Sequence, residues 1–147
     1  MSLKFLVTKA EVTDQKLDAL ILEIIILVLE FLNSMVQFVS THQKIKELEV
    51  MSSLIKLLKS NQNAIVVKYT CISLHQMSNY PIFYSKHLAH PDSLNEILRT
   101  IILNPGNIDQ ISLLHMQECL RIMINNGGAE VRYSIASIGM KVTASYF

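Results

Sequence analysis

Two pairs of side chains in this sequence have the spacing of metal ligands on one helix face. Cys71 lies four residues before His75, and His115 four before Cys119; His87 and His90 make a third pair three residues apart. Thiolate and imidazole are the donors zinc and copper prefer, and a stacked pair supplies two of them. A structural zinc site needs four ligands, however, and no CxxC pair supports one here. Cysteine is also among the most buried residue types, and both cysteines fall in segments that read as core helix. No metal ligand set and no cofactor is therefore expected.

Other groups capable of chemistry read the same way. Glu23 and Glu30 could serve as an acid and a base. Seven residues of helix separate them by about 10 Å, and no His or Lys recurs near them to complete a site. Ser53 and Lys56 have the letters of a Ser-x-x-Lys nucleophile, but Lys56 belongs on the wet face of an amphipathic helix. Gly127 and Gly128 lack the frame of a phosphate-binding loop and read as helix punctuation. Lys44, Lys46, Lys56, Lys59 and Lys68 give residues 42–68 a modest basic balance. Neither arginine nor interleaved aromatics support base recognition there, so a solvated face is expected and nucleic acid is not. No catalytic residue is assigned, and the chain reads as a non-enzyme without a small-molecule substrate.

Composition narrows the class further. The 147 residues suffice for one domain with a real core. Charged residues are 17% and apolar residues 50%, against roughly 25% charged in an average soluble protein, so there is little polar material to cover the surface. A formal net charge of +1 gives no electrostatic pull on any partner class. Two cysteines without a disulfide framework fit a reducing compartment, and the cytoplasm is expected. The opening MSLKFLVTKAEVTDQ has no continuous apolar run before a cleavage site, so it is not read as a secretory signal. Glu11, Asp14 and the lack of Arg speak against a mitochondrial transit peptide.

The elements that must position these groups start with ALILEIIILVLEFL, residues 19–32. In the window 19–38, about fourteen apolar residues contribute roughly −0.3 to −0.6 kcal/mol each to membrane insertion. Glu23 and Glu30 oppose this with about +2.5 to +3.5 each, so a span is not preferred. Lys16, Glu23, Glu30 and Gln37 recur every seven positions and stack into one stripe. Apolar side chains cover the rest, which predicts a helix buried on most sides with that stripe as its one wet edge. Thr13 or Asp14 is the expected N-cap.

The apolar helix recurs. LVLEFLNS (27–34), CISLHQMSN (71–79) and ECLRIMINN (118–126) each close in Asn or Ser, with Leu29, Leu74 and Ile122 in step at separations of 45 and 48. An amphipathic helix precedes the second and third: Leu54, Leu57 and Leu58 match Leu94, Ile97 and Leu98 forty positions on. HQKIKELEV (42–50) and IFYSKHLAH (82–90) read as short leading helices, and AIVVKYTCI (64–72), though β-branched, as helix. Pro81, Pro91, Asn104–Pro105–Gly106 and Gly127–Gly128 punctuate the elements. The reading is all-α, with a period near that of armadillo and HEAT arrays: a right-handed α-solenoid of about three repeats over 14–140, an N-terminal arm over 1–13 and a C-terminal tail over 141–147.

At VMSSLIKLLKSNQNAIVVKYTCISLHQMS, residues 50–78, the chain resembles the armadillo family. A Leu-Leu second helix, a polar loop and an apolar third helix follow one another as in that family's repeat, and the likeness extends over residues 14 to about 140. The glycine usual between first and second helices is absent, with Ser52 and Ser53 in one repeat and Pro91 and Asp92 in the next. There is no Trp, so the likeness does not extend to nuclear-import receptors. Asn33, Asn79 and Asn126 stand near the ends of the long helices, where the resemblance implies groove asparagines.

A repeat stack needs polar ends, and here KFLVTK and SIASIGMKVTASYF (134–147) are apolar. The expected function is therefore a protein-interaction scaffold within a larger assembly. Partner contacts are expected at Glu30, Asn33, His75, Asn79, Met123 and Asn126, and at the end residues Tyr146 and Phe147. The alternative is a membrane-associated subunit with the 17–39 helix in or on a bilayer.

Overall fold

The structure is a computed structural model, and it describes residues 3, 15–60 and 63–146. The expected N-cap at Thr13 or Asp14, nearly all of the N-terminal arm and Phe147 lie outside the described residues.

The described residues form helices and no strand. We number them α1 (Gln15–Val36), α2 (His42–Glu47), α3 (Val50–Ser60), α4 (Ala64–Ser78), α5 (Pro91–Ile102), α6 (Gln110–Asn126) and α7 (Gly128–Tyr146). A 3₁₀ turn, Val39–Thr41, precedes α2; a second, Pro81–Phe83, leads into one turn of π-helix, Tyr84–Leu88. The segment 64–72, the most strand-like by composition, is helical. Packing outweighs its β-branched content, and Asn63 starts the helix by accepting the free amides of Ile65 and Val66.

Each boundary has a local cause. Asp109 caps α6 through the Ser112 amide at 2.7 Å, while Pro91 sits in the first turn of α5 with the His90 ring accepting from the Asp92 amide. Asn104 and Asn107 take left-handed backbone in the turn after α5. Glu49, at the corner between α2 and α3, also has φ +53°. Between α6 and α7 there is almost no loop. A Cβ on Gly127 would lie 2.6 Å from both the Met123 carbonyl oxygen and Val131 Cβ, and Gly128 has φ +78°. The two helices turn this sharply only because the corner carries no side chain.

The long helices α1, α4 and α6 pack side by side in that order, and α3, α5 and α7 pack in a second series against them. Between the two series lies the core, whose largest fully buried side chains include Ile25, Leu29, Leu54, Leu74, Met77, Phe83, Leu94, Ile97, Met116 and Met123. His42 is buried as well. Its Nε2 meets the Val36 carbonyl at 2.7 Å and its ring packs on Tyr80 and Phe83, tying the end of α1 to the segment after α4.

Two expectations are corrected here. α1 is not buried on most sides: only a third of Ala19–Val36 is buried, the face formed by Ile21, Ile25, Leu29, Leu32, Asn33 and Val36. Leu27 and Phe31 are 63% and 65% exposed beside the glutamates, and among the described residues α4 is the long helix packed beside α1. The boundary expected after residue 140 falls inside α7, which continues unbroken to Tyr146 with Val142 buried. Residues 141–146 are thus part of a packed helix.

Candidate functional site

α4 shows solvent a stripe at helical spacing: Ile65, Lys68, Tyr69, Ile72, His75, Gln76 and Asn79, all exposed or half-buried. Its neighbour α6 shows Ile111, Leu114, His115, Glu118, Arg121 and Asn125 in the same way. Together they make one face across the centre of the long-helix row, in which Ile65, Ile111 and Leu114 are more than half exposed.

A polar bridge joins the two helices of that face. His75 Nδ1 and His115 Nδ1 approach to 2.8 Å with ring centroids 5.1 Å apart, so one imidazole donates and the other accepts between α4 and α6. Burial holds both rings below the ordinary imidazole pKa. At His75, the proximity of His115 and then Arg121 adds to this while Glu118 opposes it; at His115, Lys68 adds and Asp109 opposes. Toward α1, the nearby Glu30 carboxylate raises the pKa of the Tyr69 phenol. Arg121 grips Glu118 at i, i+3 with two hydrogen bonds and lowers that carboxylate's pKa.

The helix spacing that suggested metal ligands is thus redistributed. His75 pairs with His115 forty residues away, not with Cys71, and the cysteines turn inward. Both are free and buried; the Cys119 thiol donates to the Leu74 carbonyl at 3.5 Å. Burial pushes both thiols up to about 12, so neither is a thiolate nucleophile at neutral pH. Among the described residues no group of three or more His, Cys, Asp or Glu is arranged around a metal.

Of the residues expected to contact a partner, Glu30, His75 and Asn79 lie on the surface of the long helices. Asn126 is exposed at the end of α6, and the Tyr84 hydroxyl donates to the Ser78 carbonyl. Tyr146 is exposed at the end of α7. Asn33 and Met123 are corrected. Asn33 is buried and accepts from Ser73 Oγ at 2.5 Å, and Met123 is fully buried; both point into the helix packing. Position near a helix end did not distinguish the two faces. Tyr69, His115, Glu118 and Arg121 belong to the face and were not anticipated. A signal for them existed: the cross-helix contacts Asn33–Ser73 and His75–His115 share an offset of forty residues, the offset already visible between α3 and α5.

A separate concavity of roughly 280 Å³ is bounded by Lys59, Glu96, Arg99, Thr100 and Asn104, among others. Glu96 is buried there, with one carboxylate oxygen lacking a hydrogen-bond partner.

Comparison of the chain with protein-family models, with curated proteins and with solved structures finds no match to any of them.

Proposed function

We propose that this chain is a non-enzymatic helical-repeat scaffold of armadillo-like organisation, acting in the cytoplasm as a subunit of a larger protein assembly. The observation that carries the reading is the recurrent register of the long helices. Neighbouring members of the row meet through residues forty apart at Asn33 with Ser73 and His75 with His115, and forty-five apart at Leu74 with Cys119. Grouped with the short segments before them, α2–α3–α4 and 81–88–α5–α6 form two successive units, with α1 and α7 as the flanking helices. Such a row offers an extended side to a partner chain. The partner reading rests on Ile65, Ile111 and Leu114, exposed on a face that also carries His75, His115, Glu118 and Arg121, because apolar groups rimmed by polar ones are typical of interaction surfaces.

The test is site-specific photocross-linking from Gln76 in the native cell, compared with the same probe in an Ile72→Glu, Leu114→Glu background. A defined partner captured by the first and lost from the second, with unchanged circular dichroism, supports the scaffold. Equal capture by both overturns the assignment of this face.

A second reading is favoured by a specific observation: α1 is long and apolar enough to cross a membrane and is mostly unburied. In that reading Leu20, Leu27 and Phe31 enter a bilayer while Ile25 and Leu29 hold α4. Flotation of the purified chain with phosphatidylcholine vesicles, abolished by Leu27→Glu, would select it; a chain that stays in solution without detergent and never floats would remove it.

A further inference from the structure

We propose that His75 and His115 form a two-histidine chelate for a divalent late transition metal, Cu²⁺ or Ni²⁺, which clips α4 to α6. Two imidazole nitrogens on separate helices already face one another at 2.8 Å, both through Nδ1. With metal–nitrogen bonds of about 2.0–2.1 Å, that separation corresponds to a nitrogen–metal–nitrogen angle of roughly 85–90°. This is the cis angle of a tetragonal ion. A tetrahedral ion such as Zn²⁺ would require the nitrogens to open to about 3.3 Å. Nitrogen donors in square or tetragonal array are the preference of Cu²⁺ and Ni²⁺.

The imidazole that carries its proton on Nδ1 passes it to Nε2 by exchange with solvent, and both rings then pivot off the Nδ1–Nδ1 line to aim their lone pairs at the ion. Each ring is only half-buried, which leaves the other coordination positions to water. Glu118, one turn along α6 from His115, is held by Arg121 and is not counted as a ligand. Four charged groups surround the pair: Arg121 and Lys68 oppose a cation, while Glu118 and Asp109 offset them. The inference does not depend on the partner reading above.

The experiment is titration of the purified chain with Cu²⁺ at about pH 7.5, followed by calorimetry and by electron paramagnetic resonance. The wild type is expected to take one equivalent, with hyperfine structure from two imidazole nitrogens and a raised melting temperature. His75→Gln or His115→Gln should weaken binding by about tenfold or more, since each removes the chelate partner. His90→Gln, at an exposed histidine outside the pair, should bind as the wild type does. Wild-type spectra showing one or no imidazole nitrogen overturn the proposal even if a variant fails to fold, and so does unchanged affinity in folded His75→Gln and His115→Gln.

Discussion

α1 and α4 have opposite compositions and opposite burial. α1 is the most apolar of the described helices, yet only a third of its best window is buried, with Leu22, Ile24, Ile26, Val28 and Met35 packed on the core in part. α4 contains Thr70, Ser73 and Ser78, yet eight of its fifteen residues are buried. The difference is position in the row. α4 has α1 on one side, α6 on the other and α3 behind it, whereas among the described residues α1 has only α4 beside it as a long helix. The buried hydroxyls of α4 cost little because each finds an acceptor close at hand: Thr70 bonds the Val66 carbonyl, Ser73 the Tyr69 carbonyl and Asn33, and Ser78 the His75 carbonyl. A helix is thus buried according to its neighbours. Its own apolar content sets only how much it gains.

That contrast can be broken most directly at Leu74, fully buried at the centre of the row. Leu74→Ala should destabilise the chain by about 3 kcal/mol in urea unfolding. A cost near zero would mean the centre is loosely packed. Gly127→Ala comes next, at about 2 kcal/mol, because the new methyl group meets a backbone carbonyl that cannot move without shifting α6 against α7; the readout is the same unfolding midpoint. Asn63→Ala removes the cap of the central helix and should cost about 1 kcal/mol.

Acid should act on the centre too. His75 and His115 resist protonation in the folded chain, so the unfolded chain binds more protons below its ordinary imidazole value of about 6.5. The stability that the neutral pair contributes is complete above that value and declines as pH falls through and below it. Melting should therefore come earlier at about pH 5.5 than at about pH 7.5, and more weakly so in His75→Gln. Asp109 adds a separate acid loss at lower pH, because the Ser112 amide holds its carboxyl below the usual value. The smallest effect belongs to α1: Leu27→Ala, on the exposed side, should alter stability by less than about 0.5 kcal/mol. A larger loss would show that the outer side of α1 is covered in solution.

Much of the fold was legible from residues one at a time. Pro81, Pro91, Gly127 and Gly128 mark helix ends by backbone chemistry alone, and α3 and α5 share a Leu pattern forty residues apart, whereas the caps Asn63 and Asp109 became visible only in the structure. The site was less legible. His75 was identifiable as polar on a long helix, but its partner could have been Cys71 by helix spacing, and only the packing of α4 on α6 put His115 opposite it. Asn33 and Met123 illustrate the same limit, since a residue near a helix end can face either way until the neighbouring helix is placed.

The amino-acid order alone determined an all-helical chain, because 3.6-residue periodicity, caps and turn residues are local properties of the backbone. It also marked several of the breaks between elements, at Pro81, Pro91, Asn104–Pro105–Gly106 and Gly127–Gly128. Which face of each helix is covered was decided by tertiary structure, since burial depends on which helices lie alongside. Hence the greasiest helix stands half in solvent while serines and a threonine sit in the core.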